Sequence, residues 1–132
     1  MEPAYLHGTL VRLSPVPYLW ATPLRGDVVG LLCPKDPERM ELKRVVGLPG
    51  EHVSWKDGDI WINGQKLQEP YTRTAPSTPG ESIQMQDLGP GEYFVAGDNR
   101  LYSQDSRTYG PVWLSDILGR VVEVPRAVLS KR

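Results

Sequence analysis

The sequence of 132 residues has one cysteine, two histidines and no long apolar run. With Cys33 alone, no disulfide closes within the chain and no cysteine-based zinc site forms. His7 and His52 lie far apart with no metal-ligand spacing around either, so neither a metal nor any other cofactor is expected. The longest apolar stretches are a few residues, as in Val28-Val29-Gly30-Leu31-Leu32-Cys33. A membrane-spanning helix needs about 20 such residues, and a secretory signal core also needs more than is present. Neither sign of charge dominates: 15 basic against 16 acidic side chains, a net charge of -1. That balance excludes a protein that works by coating nucleic acid phosphates.

Glycine and proline are plentiful, at 13 each, and no window carries the 3.6-residue apolar period of an amphipathic helix. Period-2 runs ended by turn residues predict strands near Thr9 to Leu13, Asp27 to Cys33, Met40 to Val46, His52 to Lys56, Asp59 to Ile62, Gln65 to Gln68, Tyr93 to Ala96 and Leu118 to Val124. Asp57-Gly58 and Asn63-Gly64 suit tight hairpins with positive φ, so residues 53 to 67 read as a three-stranded meander. A short helix is expected over Trp113 to Leu118, with Ser115-Asp116 as its cap. Three prolines between Ser14 and Pro23 argue against a central strand there, and Arg73 to Gly80 reads as an exposed loop. The expectation is one mostly antiparallel all-β domain over residues 1 to 132.

Two segments carry chemistry. In Glu41-Leu42-Lys43-Arg44-Val45-Val46-Gly47-Leu48-Pro49-Gly50-Glu51, a strand sends Lys43 and Val45 to one face and Leu42, Arg44 and Val46 to the other. One basic residue of the pair therefore shares a face with apolar neighbours. Taken alone it fits either a surface lysine with its stem laid along the sheet or a general base. A lysine, with a reference pKa of about 10.4, acts as a base near neutral pH only with a shift worth roughly 4 to 5 kcal/mol, from desolvation or a nearby cation. The second segment, Gly97-Asp98-Asn99-Arg100-Leu101-Tyr102-Ser103-Gln104-Asp105-Ser106-Arg107-Thr108-Tyr109-Gly110, follows the apolar Tyr93-Phe94-Val95-Ala96. It fits a solvated loop or a closed network of ion pairs and hydroxyls that holds catalytic groups rigidly.

Together these segments resemble the bacterial type I signal peptidases. Residues 43 to 51 are similar to that family's lysine box. Gly97-Asp98-Asn99-Arg100 with Ser103, Asp105-Ser106-Arg107 and Tyr109-Gly110 is similar to its C-terminal box, and Arg25-Gly26-Asp27-Val28-Val29 to the box between them. Order and spacing agree from Met1 to about Val124. The resemblance implies twisted antiparallel sheets in a barrel-like fold, in the compact form without a large second domain. It also implies a serine endopeptidase with a Ser/Lys dyad. Lys43 would be the general base and Ser103 would orient it. Asp98 with Arg44, and Asp105 with Arg107, would form ion pairs bracing the site. Met1, Pro3, Tyr5 and Leu42 would line the substrate cleft, with Glu41 and Gln104 more polar than expected beside it.

The resemblance further implies signal peptides of exported preproteins as substrates and the outer face of the cell membrane as the place of action. The family's nucleophile would stand immediately before Met1. The expectation is therefore a chain that starts after its serine and membrane anchor, by truncation or start-site assignment, inactive and soluble as it stands. Trp20 reads either as a membrane-facing residue or as cover for a sheet edge. Two rival readings remain at this point: a non-catalytic peptide-binding relative, and a specialised Ser/Lys peptidase maturing one partner protein.

Overall fold

A computed structural model describes residues 12–14, 21–56, 58–70, 83–100 and 104–122. Among these lie β1 (Arg12–Ser14), β2 (Val28–Cys33), β3 (Asp36–Gly47), β4 (His52–Lys56), β5 (Asp59–Ile62), β6 (Gln65–Lys66), β7 (Gln84–Asp87), β8 (Glu92–Ala96), β9 (Val112–Trp113) and β10 (Ile117–Val122). The one-turn helix α1 (Ser106–Tyr109) and a 3-10 turn (Leu114–Asp116) complete the described elements. Every strand pairing is antiparallel. Six strands form one sheet in the order β1-β10-β2-β3-β8-β9, and four form a second in the order β6-β5-β4-β7. The all-β architecture is as the sequence predicts, and both sheets stay open: no closed barrel forms among the described residues.

The centre of the first sheet is apolar on both faces, and the alternation of β3 and β8 shows why. Val45, Tyr93 and Val95 meet Val29, Leu31 and Val112 on one side. Val46, Phe94 and Ala96 meet Val53, Ile60 and Leu88 on the other, where the second sheet packs. The unbroken runs Val45-Val46 and Tyr93-Phe94-Val95-Ala96 are thus the signature of strands covered twice. Phe94, fully buried and 5.0 Å from the Trp55 ring centroid, joins the two sheets. Burying a side chain of its size stabilises the fold by roughly 2 to 3 kcal/mol.

Turn chemistry fixes the meander. Asn63 and Gly64 take positive φ of 50° and 86°, as a two-residue type I′ hairpin requires, and β4–β5–β6 pair in the expected order. Several elements depart from the sequence reading. β3 starts at Asp36 rather than Met40: Cys33 pairs with Asp36 and Leu32 with Met40, so residues 37–39 bulge out of the ladder. That bulge accommodates Pro37, which has no N–H to donate. β7 forms from the polar Gln84–Asp87 against the open edge of β4. The expected helix over Trp113 to Leu118 is only a 3-10 turn, and its cap comes from behind, with the Asp116 carboxylate accepting from the Trp113 N–H at 3.1 Å. No described helix is long and apolar enough to cross a membrane. Residues 9–11 of the first expected strand, the end of the last beyond Val122, the loop at 73–80 and Trp20 lie outside the described residues.

Candidate active site

Lys43 sits in β3 opposite Val29 of β2, two residues before Val45 on the same face. Its side chain is 12% exposed, so most of the stem lies against protein. Period-2 alternation puts Arg44 on the other face, beside the second core, and its chemistry is different. Arg44 donates from Nε to Asp98 Oδ1 at 2.9 Å and from Nη2 to Asp98 Oδ2 at 2.7 Å, and its Nη1 reaches the Gly26 carbonyl at 2.9 Å. Asp98, in the turn after β8, is fully buried. A bidentate pair of this kind is geometrically specific and stronger than neutral hydrogen bonds. It locks the strand carrying the lysine to the turn that opens the second segment.

Asp105 works from the first core's side. It is fully buried and caps α1 by accepting from the Arg107 N–H at 3.1 Å. Its two oxygens also accept from Arg107 Nε and Nη2 at 2.9 and 2.8 Å, and from the Gly97 N–H at 3.0 Å. The next residue, Ser106, turns its buried hydroxyl to the backbone, where Oγ accepts from the Val95 N–H at 2.9 Å. One short helical turn is thereby tied to β8 at Val95 and, through its cap, to Gly97 just after the strand. Of the two forms the sequence allows for this segment, its described residues take the network, with a helical turn inside it.

Two further ion pairs were not assigned from sequence. Arg100 is held by the Gly97 carbonyl at 2.7 Å, the Gly58 carbonyl at 2.8 Å and Glu69 at 2.5 Å, and so links the C-terminal segment to the second sheet. Arg25 forms a bidentate pair with Glu51 at 2.7 and 2.6 Å and donates to the Val46 carbonyl at 2.9 Å. The Arg25 hydrogen bonds hold the Glu51 carboxyl below its ordinary value, with the Leu48 N–H adding to them and partial burial opposing them. The two ion pairs join residues 26 and 31 apart in the chain, and no local pattern pairs them.

Glu41, also on the Lys43 face, places Oε2 3.5 Å from Lys43 Nζ, and its Oε1 lies 3.5 Å from Arg39 Nε. Tyr109 packs against the first core, and burial pushes its phenol well above the ordinary value, with the charges of Glu41 and Asp105 pushing the same way. Leu42 is half-buried and pairs with Gly30 on the face opposite Lys43. Ser103, Met1, Pro3 and Tyr5 lie outside the described residues. No group of three His, Cys, Asp or Glu side chains that could hold a metal ion occurs among the described residues.

The Lys43 amine thus leaves the strand beside carboxylate–guanidinium pairs that fix the backbone around it. The family described as "Signal peptidase, peptidase S26" matches residues 1–125, and the chain belongs to this family of serine peptidases. It is 32% identical over 130 residues to Signal peptidase I V of Bacillus subtilis, covering 90% of this chain and 76% of that protein. With Signal peptidase I of Bacillus caldolyticus the identity is 33% over 132 residues, covering 92% and 71%. The crystal structure of a signal peptidase I from Enterococcus faecalis superposes with a TM-score of 0.66 at 29% identity, covering 77% of this chain and 98% of that one.

Proposed function

We propose that this chain is the catalytic portion of a signal peptidase that removes signal peptides from exported preproteins, with Lys43 as general base. The observation that carries this reading is the position of Lys43 along β3. On one side β3 pairs with β2 throughout Met40 to Arg44, but on the other β8 takes over only at Arg44. Among the described residues, the stretch of β3 before Arg44 has no strand on that second edge. An extended peptide adding there would form main-chain hydrogen bonds past Leu42 and bring its backbone to the Lys43 amine. Met1, Pro3 and Tyr5 would line the rest of the cleft, and Ser103 would orient the lysine.

The reaction then needs a hydroxyl within reach of Nζ. Lys43 takes the proton of the serine nucleophile, the serine oxygen attacks the scissile carbonyl carbon, and the ammonium returns its proton to the amine that departs as the C–N bond breaks. The Arg44–Asp98 and Asp105–Arg107 pairs hold the base in position through both transfers. Trp113 and Leu114, adjacent and exposed, offer an apolar contact to a membrane surface.

The test uses a longer form, with serine ahead of Met1 and a hydrophobic anchor before it, incubated with a preprotein and followed by mass spectrometry. Cleavage after small residues is expected, and Lys43→Ala should lower kcat by a factor of about 10² to 10⁴. Cleavage that survives Lys43→Ala would overturn the assignment.

A further inference from the structure

The Arg44–Asp98 and Asp105–Arg107 pairs meet at Gly97 and Asp98, and a third buried pair reaches the same turn from the second sheet. The Gly97 N–H donates to Asp105 Oδ2 at 3.0 Å, and the next residue, Asp98, holds Arg44. The Gly97 carbonyl accepts from Arg100 Nε at 2.7 Å. Arg100 Nη1 donates to the Gly58 carbonyl at 2.8 Å, between β4 and β5, and to Glu69 Oε2 at 3.1 Å. Its Nη2 donates to Glu69 Oε1 at 2.5 Å, and the two side chains are 1% and 5% exposed. A pair this buried adds little net stability, because removing both charges from water offsets their attraction. The second sheet is in any case attached by its own core, where Val53, Ile60 and Leu88 meet Val46, Phe94 and Ala96. What the guanidinium adds is geometry: a planar fork of donors that fits two carbonyls and a carboxylate in one fixed arrangement.

We propose that Arg100 and Glu69 are positioning residues for the peptidase site: the buried pair fixes the Gly97–Asp98 turn from the second sheet, and so holds Asp98 against Arg44 and the strand of Lys43 in its working register. This deepens the reading of Lys43 as the base and rests on it. Neither residue moves a proton in the reaction. The line of action runs from Glu69 through Arg100 to the Gly97 carbonyl, then across Asp98 to Arg44, the neighbour of Lys43 on β3. Ser103, proposed to orient the amine, lies in sequence between Arg100 and Asp105, the two residues whose side chains bond to Gly97. The four-stranded sheet contributes no residue to the three sequence boxes, yet through this pair it takes part in the site.

Glu69→Gln keeps the shape and removes the charge, so the Arg100 guanidinium loses its counter-charge and its reason to stay on the Gly97 carbonyl. Hydrogen–deuterium exchange of the 132-residue chain, read by NMR, tests this without any substrate. The Gly97 N–H reports the turn, and the Asn63 N–H, bonded to the His52 carbonyl, reports the second sheet away from the pair. One hydrogen bond from a charged donor is worth about tenfold in a local opening, so the ratio of the Gly97 rate to the Asn63 rate should rise about tenfold. A merely structural pair would speed both and leave the ratio unchanged, and that result would overturn the proposal. If Glu69→Gln does not fold, Glu69→Asp decides: the shorter carboxylate draws the fork off the Gly97 carbonyl, and an unchanged ratio there overturns the proposal as well. In the serine-bearing form, displacing the turn should lower kcat about 10- to 100-fold with KM nearly unchanged. The control is Ile60→Ala, which opens a cavity in the second core and lowers the urea midpoint. It should leave kcat within about twofold of native, since the folded molecules keep the turn. Equal losses of kcat in Ile60→Ala and Glu69→Gln would make the pair structural only and overturn the proposal. Absence of cleavage by the unsubstituted serine-bearing form would count against the peptidase reading, while the exchange ratio still decides whether the pair fixes the turn.

Discussion

Replacing Asp98 by alanine should be among the most damaging single changes outside the apolar cores. Asp98 is fully buried, and both its oxygens accept from the Arg44 guanidinium, whose side chain is only 12% exposed. Removing the carboxylate leaves a buried cation short of its counter-charge, which costs about 3 to 5 kcal/mol. Domains of this kind have about 5 to 15 kcal/mol in total. With a urea slope of about 2 kcal/mol per molar, the unfolding midpoint should fall by about 2 M while the slope itself stays unchanged. The cost belongs to the uncompensated charge rather than to the pair, so the double substitution Arg44→Met with Asp98→Leu should cost less than Asp98→Ala alone. Equilibrium urea unfolding followed by tryptophan fluorescence checks both outcomes. A loss below about 1 kcal/mol for Asp98→Ala would refute the reasoning. So would a double variant less stable than the single one, because the pair would then be worth more intact than its removal allows.

Two other perturbations read different parts of the scaffold. A Cβ at Gly47 would stand 2.8 Å from Val53 Cγ2 and 2.9 Å from both Leu88 Cδ1 and Phe94 Cβ, well inside normal contact. Gly47→Ala should therefore cost about 1 to 3 kcal/mol, seen as a lower Tm in calorimetry; an unchanged Tm would mean the two sheets do not meet this closely. The depressed Glu51 carboxyl gives a pH signature. Its contribution to stability is fully present above the unfolded value near 4.5 and is lost as pH falls through the lower folded value. Glu51→Gln should be less stable than the native chain at pH 7, with the gap in Tm closing below pH 4.5; a gap constant across that window would remove the Arg25 pair as its cause.

What could be read from sequence was local, and what could not was the pairing of distant polar groups. His52–Lys56 and Asp59–Ile62 have the expected bounds, because period-2 patterning and the Asn63-Gly64 turn act within a few residues. Gln84–Asp87 carries no apolar alternation and becomes a strand because β4 presents it with a partner, a tertiary effect that outweighs propensity. Helix α1 is a single turn, too short for any period to show, and the ion pair expected of Asp105 gives no sign that it also caps this turn. Arg100 with Glu69 and Gly58 joins segments that only the fold brings together. The Glu41–Lys43 pair is a different case. The alternation that assigned Lys43 and Val45 to one face also assigns Glu41 there, so the signal was present and the partner was two residues away.

The two adjacent cations of β3 explain why the site is built on this strand. A lysine on a mobile loop would be hydrated, and a hydrated amine is a poor base at neutral pH. On a strand covered on both faces, a step of one residue sends neighbouring side chains into different environments. Arg44 is sent to the Asp98 carboxylate and fixes the backbone. Lys43 is sent to the face it shares with Val45 and Glu41, at the point where the β8 pairing stops and the edge opens. The same inter-strand hydrogen bonds that hold β3 between β2 and β8 thus set the depth of the amine, its counter-charge and its access to an added strand. A one-residue slip of β3 would exchange Lys43 and Arg44 between faces. The bidentate Arg44–Asp98 geometry cannot be formed by lysine, so this pair acts as a register lock for Lys43 as well as a brace.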